Sequence, residues 1–244
     1  VSVRIEHIDV ALTDPVLKRT SERVVRAFET AHQKIRAAGL TKVIANARIR
    51  AYTRYHIASV PMAYEFKQDK IDVYLENIVR TSYDLVEVAI HEYGHRYWNK
   101  FVAAGGKRTW QSKYIQVSPA TVRVINQQAW SKNFRAYDSF INSFRDNYTR
   151  LVALHFCNAL QANRVPASLL RTIDFTKHPA TSQMATGKKK FSLTPLLSIY
   201  AQKDQYEDFA ETFRSYVVTR GKFTDVSDPR GREMLNAIFT RVIS

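Results

Sequence analysis

One cysteine, Cys157, stands in 244 residues, so no disulfide can close within the chain. That fits a cytoplasmic or virion-type setting and leaves secretion open. No uninterrupted apolar run approaches membrane-spanning length. No signal-peptide pattern is visible, though the chain begins on Val1 and a longer precursor stays open. Internal repeats are absent, and no Pro/Gly-rich linker divides the chain, which predicts a single domain. Acidic residues are scarce: 22 Asp and Glu face 37 Lys and Arg, a net charge of +15. Such an excess suits a diffuse basic surface, an acidic protein substrate or a nucleic acid. The only tight basic cluster is Lys188-Lys189-Lys190, and neither an RNP motif nor a zinc knuckle accompanies it. What the chain does hold is 45% hydrophobic and 12% aromatic residues, enough for a sizeable core.

The order of patterns points to an α+β fold. Residues 3–10 alternate as a strand. Asp14-Pro15 opens an amphipathic helix that runs to Gly39, with His32 expected on its solvated face. Strands are expected at 43–50, from His56 towards Val60, and at 71–77. A hairpin or flap is expected around Trp110–Val124, one long helix over 131–162, and a polar surface loop over 176–194. The last helix with a clean apolar face spans 205–219.

The stretch that carries chemistry is His91-Glu92-Tyr93-Gly94-His95. Two histidines four apart lie on one helical face, one turn from each other, where one metal ion can take both imidazoles. The glutamate after the first histidine is set to hold a water and act as general base. Thr81 and Asp84 have capping-box spacing, and Gly105-Gly106 supplies a predicted stop. Between them the helix is apolar on nearly every side, hence buried. Histidines and a glutamate in such a helix need partners, since unpaired buried polar groups cost several kcal/mol. A Zn2+ ion would satisfy both histidines at once.

In the 205–219 helix, Glu207 and Glu211 sit one turn apart at the edge of the apolar face, where an ion pair with Arg214 is the plain explanation. HEYGH followed by Tyr206-Glu207-Asp208-Phe209-Ala210-Glu211-Thr212-Phe213 resembles the gluzincin metallopeptidases, most of all those related to the anthrax lethal factor catalytic domain. In these a Glu-x-Phe-Ala-Glu-x-Phe helix follows HExxH. The resemblance covers two short stretches, and the interval between them is long.

The resemblance implies a zincin-like α+β domain: a small mixed or antiparallel sheet packed on the HExxH helix, with a largely helical C-terminal half. It implies zinc held by His91, His95 and Glu207, Glu92 as general base, Glu211 as a supporting carboxylate and Tyr200 at the oxyanion. From the residues alone, Glu211 or His155 could replace Glu207, and Tyr206 could replace Tyr200. In such peptidases an edge strand takes the substrate backbone, here 71–77 with Tyr74 as its substrate-contacting residue. The expected layout is 1–106 for sheet and site helix, 107–196 as an insertion, and 197–244 for the third ligand. The expected activity is zinc-dependent endopeptidase action on a protein or peptide. The competing reading is a basic nucleic-acid- or protein-binding or structural protein with that fold, its zinc closed by Cys157 or His155.

Overall fold

A computed structural model describes residues 3–54, 60–80, 82–194, 197–198, 201 and 203–244. It divides into two compact units, residues 1–111 with 194–244, and residues 112–193.

The first unit opens with β1 (Ile5–His7) and α1 (Pro15–Ala37). Asp14 caps α1, its side chain accepting from the Val16 and Leu17 amides, as Asp before Pro predicts. His32 is not on the solvated face: it is half-buried, and its Nε2 lies 2.5 Å from the Tyr93 hydroxyl. Burial, with the Arg36 charge adding to it, pushes His32 down to about 4.

The strand expected at 43–50 lies further on. Residues 41–43 form a 3-10 turn, and β2 is Arg48–Tyr52. β3 (Met62–Glu65) and β4 (Lys70–Tyr74) follow. Of the strand expected from His56 towards Val60, residues 56–59 lie outside the described residues, and β3 begins just after Val60 and Pro61. Sheet order is β1-β2-β4-β3, with β1, β2 and β4 parallel and β3 antiparallel to β4. Ile49, Ala51, Ile71 and Val73 pair in register on one face and are buried, the period-2 rule of a one-sided sheet.

This order corrects the edge strand expected at 71–77. β4 is paired on both sides, and the chain turns at its end into α2 (Leu75–Val79). The edge beside the site helix is β3. Tyr74 is buried at the inner end of β4, its ring 6.0 Å from that of Tyr52.

The HEYGH helix, α3 (Leu85–Lys100), begins one turn later than a Thr81 cap would place it. Asp84 itself is the N-cap, accepting from the Val86 and Glu87 amides, and Thr81 lies outside the described residues. Nor does Gly105-Gly106 stop the helix. α3 ends at Lys100, and both glycines lie inside α4 (Ala104–Ser112). A Cβ on Gly106 would stand 3.0 Å from the Val242 carbonyl oxygen, so that glycine serves close packing.

An aromatic cluster backs α3. Trp98, Trp110 and Phe239 surround the fully buried Phe209, with ring centroids 5.0 to 5.4 Å from it. The unit closes with α9 (Gln205–Val218) and α10 (Pro229–Ile243).

The second unit has its own core, in which Phe140, Phe156 and Phe175 stack. The single helix expected over 131–162 is two, α6 (Tyr137–Ile141) and α7 (Asn147–Ala162), preceded by α5 (Pro119–Ser131). The stripe of aromatics is real and buried, but Asp146 caps a new helix by accepting the Thr149 amide. The flap region is largely α4 and α5, joined by β5 (Tyr114–Ile115). The expected loop holds α8 (Ser182–Ala185) and β6 (Phe191–Ser192), which pairs with β5.

One ionic cluster ties the β3–β4 turn to α3. Asp69, with φ 50°, accepts from Arg96 at 2.8 and 3.0 Å, from Lys100 at 2.8 Å and from the Tyr64 hydroxyl at 3.0 Å. The Arg96 guanidinium holds the Asp69 carboxyl well below the usual carboxylate range. A folded pKa below the unfolded one stabilises fully above the unfolded value, about 3.9, and the gain is lost as pH falls from there through the depressed folded value. Asp69→Asn leaves buried Arg96 without its counter-charge, at a cost of about 3 kcal/mol. In urea titrations at pH 7 the variant should be weaker by that order. Between about pH 5 and pH 2 its stability should fall less steeply than the parent's; parallel acid limbs would contradict this role.

Candidate metal centre and active site

The site is built where α3 crosses α9. A Cβ added to Gly94 would meet the Ala210 Cα at 2.8 Å and the Phe213 Cβ at 3.1 Å. The two backbones therefore nearly touch at Gly94 and Ala210, and only a glycine permits it. Ala210 is flanked by Glu207 one turn before and Glu211 directly after; Gly94 lies between His91 and His95 in the same sense. Close approach at this one point brings all four side chains together.

His91 Nε2 lies 3.1 Å from His95 Nε2 and 3.1 Å from Glu207 Oε2, and His95 Nε2 lies 3.2 Å from Glu207 Oε2. An ion about 2.0–2.1 Å from each ligand atom needs tetrahedral ligands roughly 3.3 Å apart, so this triangle fits a zinc ion. Among the described residues, His91, His95 and Glu207 are the group whose ligating atoms so converge. Neither Glu211 nor His155 takes the third place. His155 belongs to the second unit, with Nε2 2.7 Å from the Ser192 carbonyl. Cys157 is buried in the core of that unit.

Glu211 holds the second nitrogen of His91, its Oε1 lying 2.7 Å from Nδ1. A carboxylate can only accept, so Nδ1 carries the hydrogen and the neutral ring presents the Nε2 lone pair to a metal. Arg214 donates to the other Glu211 oxygen at 3.2 Å and to Glu87, one turn before His91 on α3. The plain expectation of an Arg214 ion pair and the supporting role at His91 are thus met by the same carboxylate. Arg214 and Glu87 as a brace are new; their turn spacing from Glu211 and His91 was visible, their pairing across two helices was not.

Electrostatics follow from these contacts. Burial opposes charge on His91, yet the Glu207 and Glu211 carboxylates push it up to about 9. Glu207 is held well below the usual carboxylate range, against burial, by the two histidines. Burial opposes the charge on Glu211 too, but His91 and Arg214 bring it down to about 2.

Glu92 is buried beside the trio. Its Oε2 accepts the Tyr64 backbone N–H at 2.7 Å, a bond from the edge strand β3 that no residue pattern announces. Burial pushes its pKa up, against the fields of His95 and His91. A cavity of about 710 Å³ opens here, walled by Val60, Met62 and Val88 and bounded by Tyr83, Glu92 and Arg214. Tyr74 is not among the described residues that line it. Tyr206 is half-exposed, its ring edge on Trp98. Tyr200 lies outside the described residues.

The chain matches no protein-family model, no curated protein and no solved structure. The site's own geometry therefore carries the comparison: His91-Glu92-x-x-His95 with the distal Glu207 is the HExxH-plus-glutamate pattern of zincin metallopeptidases, the zinc-binding arrangement of the gluzincins.

Two substitutions test this construction. Gly94→Ala should force the helices apart, destabilise by about 1–3 kcal/mol and weaken zinc binding. Glu211→Ala should leave the fold intact and weaken zinc binding by about 10–100-fold. Competition with a chromophoric chelator reads both, and parent-like affinity in either would contradict the helix contact or the brace.

Proposed function

We propose that this chain is a zinc-dependent endopeptidase whose substrate is a protein or peptide. The observation that carries the proposal is the convergence of His91, His95 and Glu207 on one point, with the Glu92 carboxylate buried beside it. Three protein ligands leave a fourth position open, the mark of a catalytic rather than a structural site. A zinc ion bound there would act as a Lewis acid and lower the pKa of its water towards about 7.

The residues of the chain divide the remaining work. Glu92, fixed through Oε2 by the Tyr64 amide, accepts a proton from the attacking water and returns it to the leaving amine nitrogen. Its upward-shifted pKa suits a group that must both take and give a proton. Glu211, braced by Arg214, keeps the His91 ring in one tautomer and one orientation. On the resemblance, the Tyr200 hydroxyl donates to the developing oxyanion.

The substrate backbone is placed along β3, the edge strand whose Tyr64 already touches Glu92. That is the strand-addition role first expected of 71–77. Met62, Val60 and Val88 favour an apolar side chain in the cavity, whose lining carries both acids and the bases Lys203 and Arg214. Residues 107–196 are read as an insertion in a zincin-like domain; the two chain segments of the first unit flank the second in sequence, which supports this.

Glu92→Gln should retain stoichiometric zinc and lose at least about 10²–10⁴ of the hydrolysis rate on a quenched-fluorescent peptide library. His91→Ala should lose both zinc and activity. Chelator-sensitive cleavage by Glu92→Gln at the parent's rate would overturn the mechanism.

A further inference from the structure

The positive charge is divided unevenly. Residues 112–193 carry twelve Lys and Arg, three Asp and no Glu, a net +9, while the other 162 residues carry +6. Two of the three acids are engaged locally. Asp146 caps α7. Asp174 closes a turn, accepting from the Thr176 amide and hydroxyl and from the Asn126 side chain. The surface of this unit is left almost purely cationic, which by itself would serve only solubility.

One part of that surface is shaped as well as charged. A groove of about 640 Å³ is lined by Arg164, Lys177 and His178 together with Leu169 and Ile173, with Asp174 as the one acidic residue of its lining. Beside it stands Trp130, whose indole N–H donates to the Ile173 carbonyl at 2.7 Å. That bond ties the indole to the backbone of a groove residue, and Trp130 is half exposed. Leu169 is 46% exposed. The Lys177 side chain, 84% exposed, is only loosely paired with Asp174 at 3.6 Å.

A solvent-exposed indole bonded to a groove that carries Arg164 and Lys177 offers two kinds of contact. Its face stacks on a base, and the ammonium and guanidinium groups neutralise phosphates. Every nucleotide brings both a flat base for the ring and a phosphate for the cations, whereas an acidic peptide brings its charge without a base to stack. We propose that residues 112–193 bind single-stranded nucleic acid across this groove, with Trp130 as the stacking platform and Arg164 and Lys177 as phosphate contacts. This is a second activity, independent of the metal centre.

The test uses the full chain and a fluorescein-labelled 15-nucleotide single strand, as DNA and as RNA, read by anisotropy between 50 and 200 mM salt. Binding should weaken steeply as salt rises. Trp130→Ala should weaken it about tenfold or more. Lys177→Glu with Arg164→Glu, both exposed, should weaken it further and flatten the salt dependence. Treatment with a chelator should change nothing. Absence of salt-dependent binding would overturn the proposal, as would parent-like binding by the Lys177 and Arg164 double variant. Displacement by poly-glutamate as effective as by unlabelled strand would replace it with an acidic protein partner.

Discussion

Everything at the metal centre depends on how closely two helices pass. With a side chain at position 94, α3 and α9 could not meet backbone to backbone, since a methyl there would lie 2.8 Å from the Ala210 Cα. At a wider spacing the glutamates of α9 would not reach the histidines of α3. The aromatic packing around Phe209 presses the two helices together, and the Glu87–Arg214–Glu211–His91 chain fixes their rotation. Hydrophobic burial supplies the force, and charge-assisted hydrogen bonds supply the direction.

The second constraint joins sheet to helix. Tyr64 lies on the edge strand, gives its amide to Glu92 and its hydroxyl to Asp69. Asp69 in turn binds Arg96, next to His95. The strand best placed to receive a substrate is thus tied at two points to the helix that carries the general base and two metal ligands. Displacing the strand would displace the Glu92 carboxylate with it, so the position of β3 and that of Glu92 are mechanically coupled.

How much of this was legible in the sequence follows from the range of each interaction. α1 and α9 declare themselves through caps and turn-spaced apolar residues, which are local. HEYGH was legible because metal ligation needs fixed residue types at fixed helical offsets, whereas Glu207 was singled out from Glu211 and His155 only by the resemblance. The sheet order was not, because strand neighbours are chosen by long-range packing; β4 alternates like an edge strand yet lies inside. The apolar stripe over 131–162 is continuous in composition but not in backbone, since Asp146 starts a new helix that a hydrophobic count does not reveal. Gly105-Gly106 looked like a stop because glycine ends helices, whereas here Gly106 makes room for the Val242 backbone. The Tyr64 amide had no signature at all, for every residue but proline carries one.

The central claim, that zinc binds between His91, His95 and Glu207 with one position open for chemistry, is tested most directly by a crystal structure of the zinc-loaded chain with anomalous scattering recorded at the zinc edge. The account predicts one strong peak bonded to Nε2 of His91, Nε2 of His95 and a Glu207 carboxylate oxygen, with a solvent oxygen as the fourth ligand. A peak elsewhere, or one closed by a fourth protein side chain, would contradict it.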